Sequence, residues 1–167
     1  MNLIIHDLTQ AECKKLGLIF GEDEKVIDNT SRIHDCTGCF GCWLKTPGRC
    51  VVEDDCQRIG ELLSKAERLV IISKCTFGGY SSFVKSVLER TISYLLPFLK
   101  VSEDRMRHES RYVHSFSVKV IFYGEDISMT ERETAVELVY ANARAYCAKV
   151  EGVYFIKDTE EIKEVLK

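Results

Sequence analysis

The sequence lacks several features that mark whole classes of protein. It has no apolar run long enough to cross a bilayer, which predicts no membrane partner. It has no basic stripe and a net charge of −3, which predicts no nucleic-acid partner. It also has no internal repeat, linker or low-complexity segment. With 167 residues, 46% of them hydrophobic, residues 1–167 are expected to form a single domain.

The chain is rich in cysteine, with eight residues. Near the N-terminus an acid, Asp7, comes before any signal-peptide core could form, so we expect a cytoplasmic location. In a reducing compartment, clustered cysteines indicate metal, cluster or redox chemistry rather than disulfides. Four of the eight fall within residues 36–50, so this segment is the first candidate for chemistry.

Extended and helical patterns alternate along the chain. Apolar runs predict strands at residues 3–5, 25–28, 68–73, 117–123 and 152–156. Helices are predicted at residues 10–16 and about 55–65, from 81 or 82 to Pro97, from a capping box at Ser128 to about 147, and after Asp158. Residues 100–114 are polar and aperiodic and predict an excursion between elements.

This alternation predicts an α/β fold with a parallel sheet and helices on both faces. Residues 68–73 are apolar on both faces, as in a central parallel strand. Right-handed crossovers then favour a flavodoxin-like three-layer sandwich with a five-stranded parallel sheet in the order 2-1-3-4-5.

In such a sheet, ligands lie beyond the carboxyl ends of the strands. The loop after the third strand contains two glycines and two aromatic rings, which suit a flat heteroaromatic ligand. Its candidate binding residues are Ser73, Lys74, Cys75, Thr76, Phe77, Gly78, Gly79 and Tyr80. Tyr123, Gly124 and Glu125 follow the fourth strand at the same edge. For the loop after the third strand, the alternative is a helix start with a glycine hinge. For the loop after the fourth strand, the alternative is an ordinary turn.

The cysteine segment has two successive two-residue gaps and a fourth thiol after Pro47-Gly48. Its members are Cys36, Cys39, Cys42 and Cys50. Four thiolates can hold a 4Fe-4S cluster or a zinc ion, and two can form a dithiol–disulfide pair. The alternative is a set of small buried cysteines in a packed loop.

Several segments resemble a known family. CFGC at 39–42, GRCVV at 48–52 and DD at 54–55 are similar to segments of the NAD(P)H-dependent FMN reductases and related flavodoxin-family proteins. So are IIS at 71–73, GGYS at 78–81 and VKSVLER at 84–90. The similarity is continuous from about residue 36 to residue 90. The cysteine spacing also resembles that of the iron–sulfur flavoproteins, whose motif holds a 4Fe-4S cluster beside FMN.

The resemblance implies FMN between the loops at residues 73–82 and 123–126. The flavin would take hydride from NAD(P)H and pass electrons to a small-molecule acceptor, so no acid, base or nucleophile of the chain is required. It also implies a homo-oligomer, a dimer or tetramer. Trp43 and the region of Tyr94 and Phe98 are expected to contribute to its interface.

One segment departs from the family. The family has a glycine-rich phosphate loop after the first strand, whereas residues 6–13, HDLTQAEC, contain no glycine and two acids. Thr9 and Gln10 are the candidate phosphate donors there. Two alternatives to an FMN oxidoreductase therefore stay open: an electron carrier that uses the four cysteines, and a cofactor-free binding module of the flavodoxin fold.

Overall fold

The fold was obtained as a computed structural model, which describes residues 1–102 and 105–166. Its strands are β1 (Asn2–His6), β2 (Glu24–Ile27), β3 (Arg68–Lys74), β4 (Leu95–Ser102), β5 (Arg105–Ser110), β6 (Ser117–Tyr123) and β7 (Lys149–Ile156). Its helices are α1 (Gln10–Leu16), α2 (Gly41–Leu44), α3 (Ile59–Lys65), α4 (Ser82–Arg90), α5 (Met129–Ala145) and α6 (Ile162–Leu166). Two 3-10 turns, Thr91–Tyr94 and Thr159–Glu161, complete the set. Glu103 and Asp104 of the predicted excursion, and Lys167 of the predicted domain, lie outside the described residues.

Five of the strands form one parallel sheet, in the order β2-β1-β3-β6-β7. Within the part of the chain that the structure describes, β4 and β5 pair only with each other, so the order of the remaining five strands confirms the predicted flavodoxin-like order. Adjacent strands run in register, with Ile5 opposite Ile71 and Ile71 opposite Val120. The carboxyl ends of β1, β3 and β6 therefore meet at one edge of the sheet.

Two apolar cores cover the two faces of the sheet. Alternate residues of β3 point to opposite faces, so Leu69 and Ile71 join one core while Val70 and Ile72 join the other. The first core is covered by α3, α4 and α5, and the second by α1 and α6. Burial on both faces explains why the strands read as continuous apolar runs.

The fourth helix and the segment after it differ from the prediction. The apolar spacing continues to Leu95, but α4 ends at Arg90 and the chain tightens into the 3-10 turn. A Cβ at Gly60 would lie 2.8 Å from the backbone nitrogen of Tyr94, so the tight turn fits closely against α3. Pro97 lies inside β4 and does not end a helix. It is tolerated because β4 is an edge strand.

The predicted excursion is largely a β-hairpin made of β4 and β5. Its apolar side chains are scattered among charges, so the alternation that marks a half-buried strand is weak. Tyr94, expected at a subunit interface, is fully buried in the core, which corrects that expectation. Phe98 is exposed on the hairpin.

Within residues 1–102 and 105–166, we find no helix that is both long and apolar enough to cross a membrane.

His6 is a buried polar residue inside the second core. Among the described residues, neither ring nitrogen has a hydrogen-bond partner, and the ring stacks on Phe20 at 5.7 Å. Burial lowers the pKa of His6 below 6.5, although Asp28 and Asp7 oppose the shift. The ring is therefore neutral in the folded chain at neutral pH.

We predict that His6→Leu raises the free energy of unfolding by about 1–2 kcal/mol, because two unpaired polar atoms leave the core. The gain should grow as the pH falls below about 6.5, since the unfolded wild type then binds a proton that the folded state refuses. Urea titrations at pH 8 and pH 5.5 measure this effect. A variant less stable than the wild type at both pH values contradicts it. His114→Leu is the control, because that ring bonds to the carbonyl oxygen of Ala66 at 2.6 Å and its loss should destabilise the chain.

Candidate functional site

Three strand ends are joined by one carboxylate. Asp7 follows β1, and its Oδ2 accepts a hydrogen bond of 2.9 Å from the backbone nitrogen of Lys74. Its Oδ1 accepts one of 3.0 Å from the hydroxyl of Tyr123. Burial, and then the neighbouring Asp7 carboxylate, raise the pKa of Tyr123, so the hydroxyl stays a donor. Asp7 was not among the predicted site residues, although an acid directly after a buried strand is a visible signal.

The loop after β3 forms a two-residue turn. Thr76 and Gly79 exchange backbone hydrogen bonds of 2.9 Å in both directions. The two residues between them, Phe77 and Gly78, both have positive φ, at 50° and 74°. This is the pattern of a type I′ turn, which normally takes Asn or Gly at the first position. A phenylalanine there costs about 1–2 kcal/mol.

Phe77 is also one of the most exposed large side chains of the protein, at 91%. A strained backbone that presents an apolar ring to solvent at the carboxyl edge of the sheet makes this turn a candidate functional element. The backbone of the turn is held in place, because Gly78 packs against α5, where a Cβ would lie 2.9 Å from Thr134. This turn, called the platform below, is therefore a candidate surface for a flat apolar group.

The other residues of this loop have structural roles. Ser73 is buried, and its hydroxyl accepts a hydrogen bond of 2.9 Å from the backbone nitrogen of Ser81, the N-cap of α4. Cys75 is partly buried, and burial raises the pKa of its thiol. The sequence places Tyr80 among the predicted binding residues at the edge, and this prediction is wrong for its ring. Tyr80 stacks on Phe122 at 5.3 Å inside the core and does not lie beside Phe77.

The loop after β6 lies beside this platform. The backbone nitrogen of Cys75 donates to the carbonyl oxygen of Tyr123 at 2.9 Å. Gly124 donates in turn to Ile156, and Glu125 is exposed. The structure therefore brings the two predicted loops together at one edge.

The first loop is closed by its own side chains. The backbone nitrogen and the hydroxyl of Thr9 both donate to Oε2 of Glu12, at 2.7 and 2.6 Å. The backbone nitrogen of Glu12 donates back to Thr9 at 3.2 Å, which completes a capping box. Gln10 begins α1 and is exposed. Hydrogen bonds from Thr9 lower the pKa of Glu12, so a carboxylate occupies the start of this helix.

The four clustered cysteines line one cavity of about 310 Å³, together with Arg90 and Ile92. Cys36 and Cys39 are exposed, Cys50 is half-buried and Cys42 is buried. Burial raises the pKa of the Cys42 thiol, with Cys50 the next contributor. The amide of Gly41, followed by the Thr37 hydroxyl, lowers the pKa of Cys39. The predicted cysteine set is thus gathered around one space.

Over residues 1–102 and 105–166, no three His, Cys, Asp or Glu side chains converge tightly enough to hold a single metal ion. A single-ion site such as zinc is therefore not preformed at the cysteines. A 4Fe-4S cluster is larger than one ion and binds each thiolate at a different iron, so its ligands surround a volume and do not converge on a point.

Arg90 fastens both ends of the cysteine segment. Its guanidinium donates to the carbonyl oxygen of His34 at 2.7 Å and to that of Val52 at 3.4 Å. It also binds both carboxylate oxygens of Asp54, at 2.7 and 2.8 Å. The side chains of both residues are fully buried, with exposures of 1% and 0%. Neither was predicted as a site residue, although Arg90 lies three positions after the buried Val87, where a charge on a helix is unusual.

Trp43 fastens the middle of the segment. Its indole nitrogen donates to the carbonyl oxygen of Leu95 at 2.9 Å, and its ring stacks on Phe40 at 5.4 Å. It also contacts His108 of β5 at 5.0 Å between ring centroids. The cysteine helix α2 is therefore fixed to the hairpin.

The buried pair makes the fold sensitive to acid. Burial by itself would raise the pKa of Asp54, but hydrogen bonds from Arg90 and from the backbone amide of His34 outweigh it and bring the pKa to about 2. Because the unfolded carboxyl takes up its proton first, near pH 3.8, the stabilisation is present above that pH and is lost as the pH falls towards 2.

We predict a loss of about 2 kcal/mol in the free energy of unfolding between pH 5 and pH 2 from this group. Denaturant titrations across that range, repeated in 0.5 M salt, measure it. The loss should persist in salt because the pair is buried. Glu61, which forms an exposed ion pair with Arg58, gives the control: Glu61→Gln should leave the profile in salt unchanged. If Asp54→Asn in salt loses as much stability between pH 5 and pH 2 as the wild type does, the prediction is wrong.

Comparison with known proteins locates the chain among flavodoxin-like structures. No family model matches the sequence. The structure aligns with the Trp repressor binding protein of Bacillus subtilis at a TM-score of 0.56 and 13% identity, covering 99% of this chain and 93% of the other. It aligns with an azoreductase of Bacillus anthracis str. Sterne at 0.55 and 10% identity, covering 98% and 89%. The fold is flavodoxin-like.

One more solved structure and one curated protein widen the comparison. An NADPH-quinone reductase from P. pentosaceus aligns at a TM-score of 0.55 and 10% identity, covering 99% of this chain and 91% of that one. An iron-sulfur flavoprotein of Archaeoglobus fulgidus is 29% identical over 87 residues. That match covers 52% of this chain and 39% of the relative, so the chain spans about two-fifths of the curated protein it matches.

Proposed function

We propose that this chain is a flavin-dependent oxidoreductase whose flavin lies at the carboxyl edge of the sheet. It would act as an NAD(P)H-dependent flavin or quinone-type reductase, or as an electron-transfer flavoprotein. The observation that carries the proposal is the strained, exposed Phe77 on the rigid turn after the central strand. The names of the aligned proteins, an azoreductase and an NADPH-quinone reductase among them, support the same class of reaction.

The residues at this edge fit one part of FMN and not the other. Phe77 and the glycine turn offer a flat apolar surface for the ring system. At α1, in contrast, Thr9 is bonded to Glu12, so the start of the helix does not fit a phosphate. The chemistry that a flavin supplies is acceptance of a hydride from a reduced nicotinamide, and the protein supplies binding and orientation. We assign that orienting role to the Phe77 turn and no role to Thr9 or Gln10.

We predict that Phe77→Asn weakens flavin binding about three- to tenfold, because an aromatic contact is lost. Asparagine tolerates the left-handed backbone, so the thermal midpoint should stay equal or rise. Quenching of flavin fluorescence gives the affinity, and a thermal scan gives the midpoint. Phe98→Asn is the matched control, since Phe98 is also exposed but lies on the β4 strand away from this edge.

Two results would overturn the assignment. An unchanged flavin affinity in Phe77→Asn would show that the flavin ring does not bind at this turn. Failure of the wild-type chain to bind any flavin at saturating concentration would show that the protein does not use a flavin.

A second candidate is an iron–sulfur electron carrier. The favouring observation is that Cys36, Cys39, Cys42 and Cys50 all line one cavity beside a buried arginine. The curated relative that is named an iron-sulfur flavoprotein supports it. The experiment is metal and sulfide analysis of anaerobically purified protein, with its visible spectrum. About four iron atoms per chain are expected, and colourless, iron-free protein would reject the candidate.

Self-association stays a prediction. The hairpin exposes apolar side chains, and exposed apolar patches often lie at interfaces. These side chains are Phe98, Leu99, Val101 and Met106. We propose a homo-oligomer that uses this hairpin, and light scattering of the purified chain tests it. A monomer at high protein concentration would contradict the proposal.

A further inference from the structure

The first loop replaces a phosphate site with the chain's own carboxylates. In flavodoxin-like folds FMN sits at the switch point between the first and third strands, and a helix N-terminus offers amide donors to a phosphate. Here only residues 7–9 link β1 to α1, and Leu8 among them is buried at 1% exposure. A link this short, with its middle residue buried, leaves little backbone to wrap around a phosphate.

Glu12 already occupies the anion position of this helix. Its carboxylate accepts from the amide and the hydroxyl of Thr9, and its own amide is bonded back to Thr9. These are the kinds of donor that a phosphate would need. The hydrogen bonds also lower the pKa of Glu12, so the group is negatively charged at neutral pH.

Asp7 adds a second negative charge at the same edge. Its two oxygens accept hydrogen bonds from the backbone nitrogen of Lys74, at the end of β3, and from the hydroxyl of Tyr123, at the end of β6. A phosphate monoester carries about −1.5 to −2 charges at pH 7 and would be repelled by both carboxylates. The exposed side chain of Lys74 can offset one of these charges and leaves the edge without a net attraction for a dianion.

We infer that the site at this edge recognises the flavin ring and discriminates against its phosphate, so that riboflavin binds at least as tightly as FMN. The inference rests on the proposed function and gives it a substrate class, the unphosphorylated flavin. The flavin is then an exchanging ligand and is not anchored through α1.

The test compares the dissociation constants of riboflavin and FMN for the full chain, by quenching of flavin fluorescence at low and high salt. Riboflavin should bind as tightly as FMN or more tightly, and added salt should reduce any difference, because screening weakens the repulsion. Glu12→Gln should raise the affinity for FMN about fivefold and leave that for riboflavin unchanged. Glutamine preserves the capping box, so the variant keeps its fold.

Glu161→Gln provides the matched control. Glu161 closes the same kind of capping box with Asp158, at the 3-10 turn before α6. Its replacement removes one charge and should change neither affinity. A wild-type chain that binds FMN more tightly than riboflavin, or a Glu12→Gln variant with no gain for FMN, overturns the inference and leaves the proposed function intact. Binding of neither flavin overturns both.

Discussion

Replacing Arg90 with methionine should lower the free energy of unfolding by about 3–5 kcal/mol. The change leaves the carboxylate of Asp54 buried without its bidentate partner. It also removes the hydrogen bonds to the carbonyl oxygens of His34 and Val52, which hold the two ends of the cysteine segment. Urea denaturation followed by far-UV circular dichroism measures the loss.

The chain offers a control with the same chemistry and a different environment. Arg58 forms an ion pair with Glu61 on the surface of α3, so Arg58→Met should cost no more than about 1 kcal/mol. The double variant Asp54→Asn with Arg90→Met should recover part of the stability, because no unpaired buried charge remains. Equal losses for Arg90→Met and Arg58→Met would show that the buried pair is not what holds the segment.

The parallel sheet could be predicted from the sequence because its strands are buried on both faces. The run at 68–73 has no alternation to misinterpret, and β6 was predicted with its observed limits. The helix at 10–16 was also predicted with its observed limits, and the capping box at Ser128 marked the start of α5. These elements are specified by local patterns, which can be recognised in a single sequence.

The region after α4 could not be predicted in the same way. Its helical spacing continues to Leu95, and only the close approach to Gly60 shows that the chain must tighten into a 3-10 turn. That contact joins segments more than thirty positions apart and has no local signature. The hairpin was missed because most of its side chains are exposed or only half-buried, so burial leaves no period-two pattern in β4.

The candidate site shows the same division. The strand-end loops and the cysteine segment were visible as residue types, and the fold predicted that the two loops share an edge. The sequence did not reveal that Tyr80 points into the core while Phe77 points to solvent, because both are aromatic and lie three residues apart. Nor did it reveal the partners of Arg90, which come from positions 34, 52 and 54.

The cysteine cavity gives the second prediction with a large effect. Under the iron–sulfur proposal, Cys42→Ser should remove essentially all of the iron, from about four atoms per chain to none, because a hydroxyl is a poor substitute for a thiolate. Cys42 is the most buried of the four, and it lies on α2, which Trp43 fixes to the hairpin. Loss of this ligand therefore cannot be compensated by movement of the loop.

Cys13→Ser is the matched control, since Cys13 is a partly buried thiol on α1 outside the cavity. It should leave iron and sulfide content unchanged. Thermal midpoints of the metal-free forms of both variants should be similar to the wild type, which separates ligand loss from misfolding. If Cys42→Ser and Cys13→Ser retain the same iron content as the wild type after anaerobic reconstitution, the metal is bound elsewhere and the cavity is only a packed loop of small side chains. If iron is lost from Cys42→Ser alone, the Cys42 thiol is a ligand and the metal lies in this cavity.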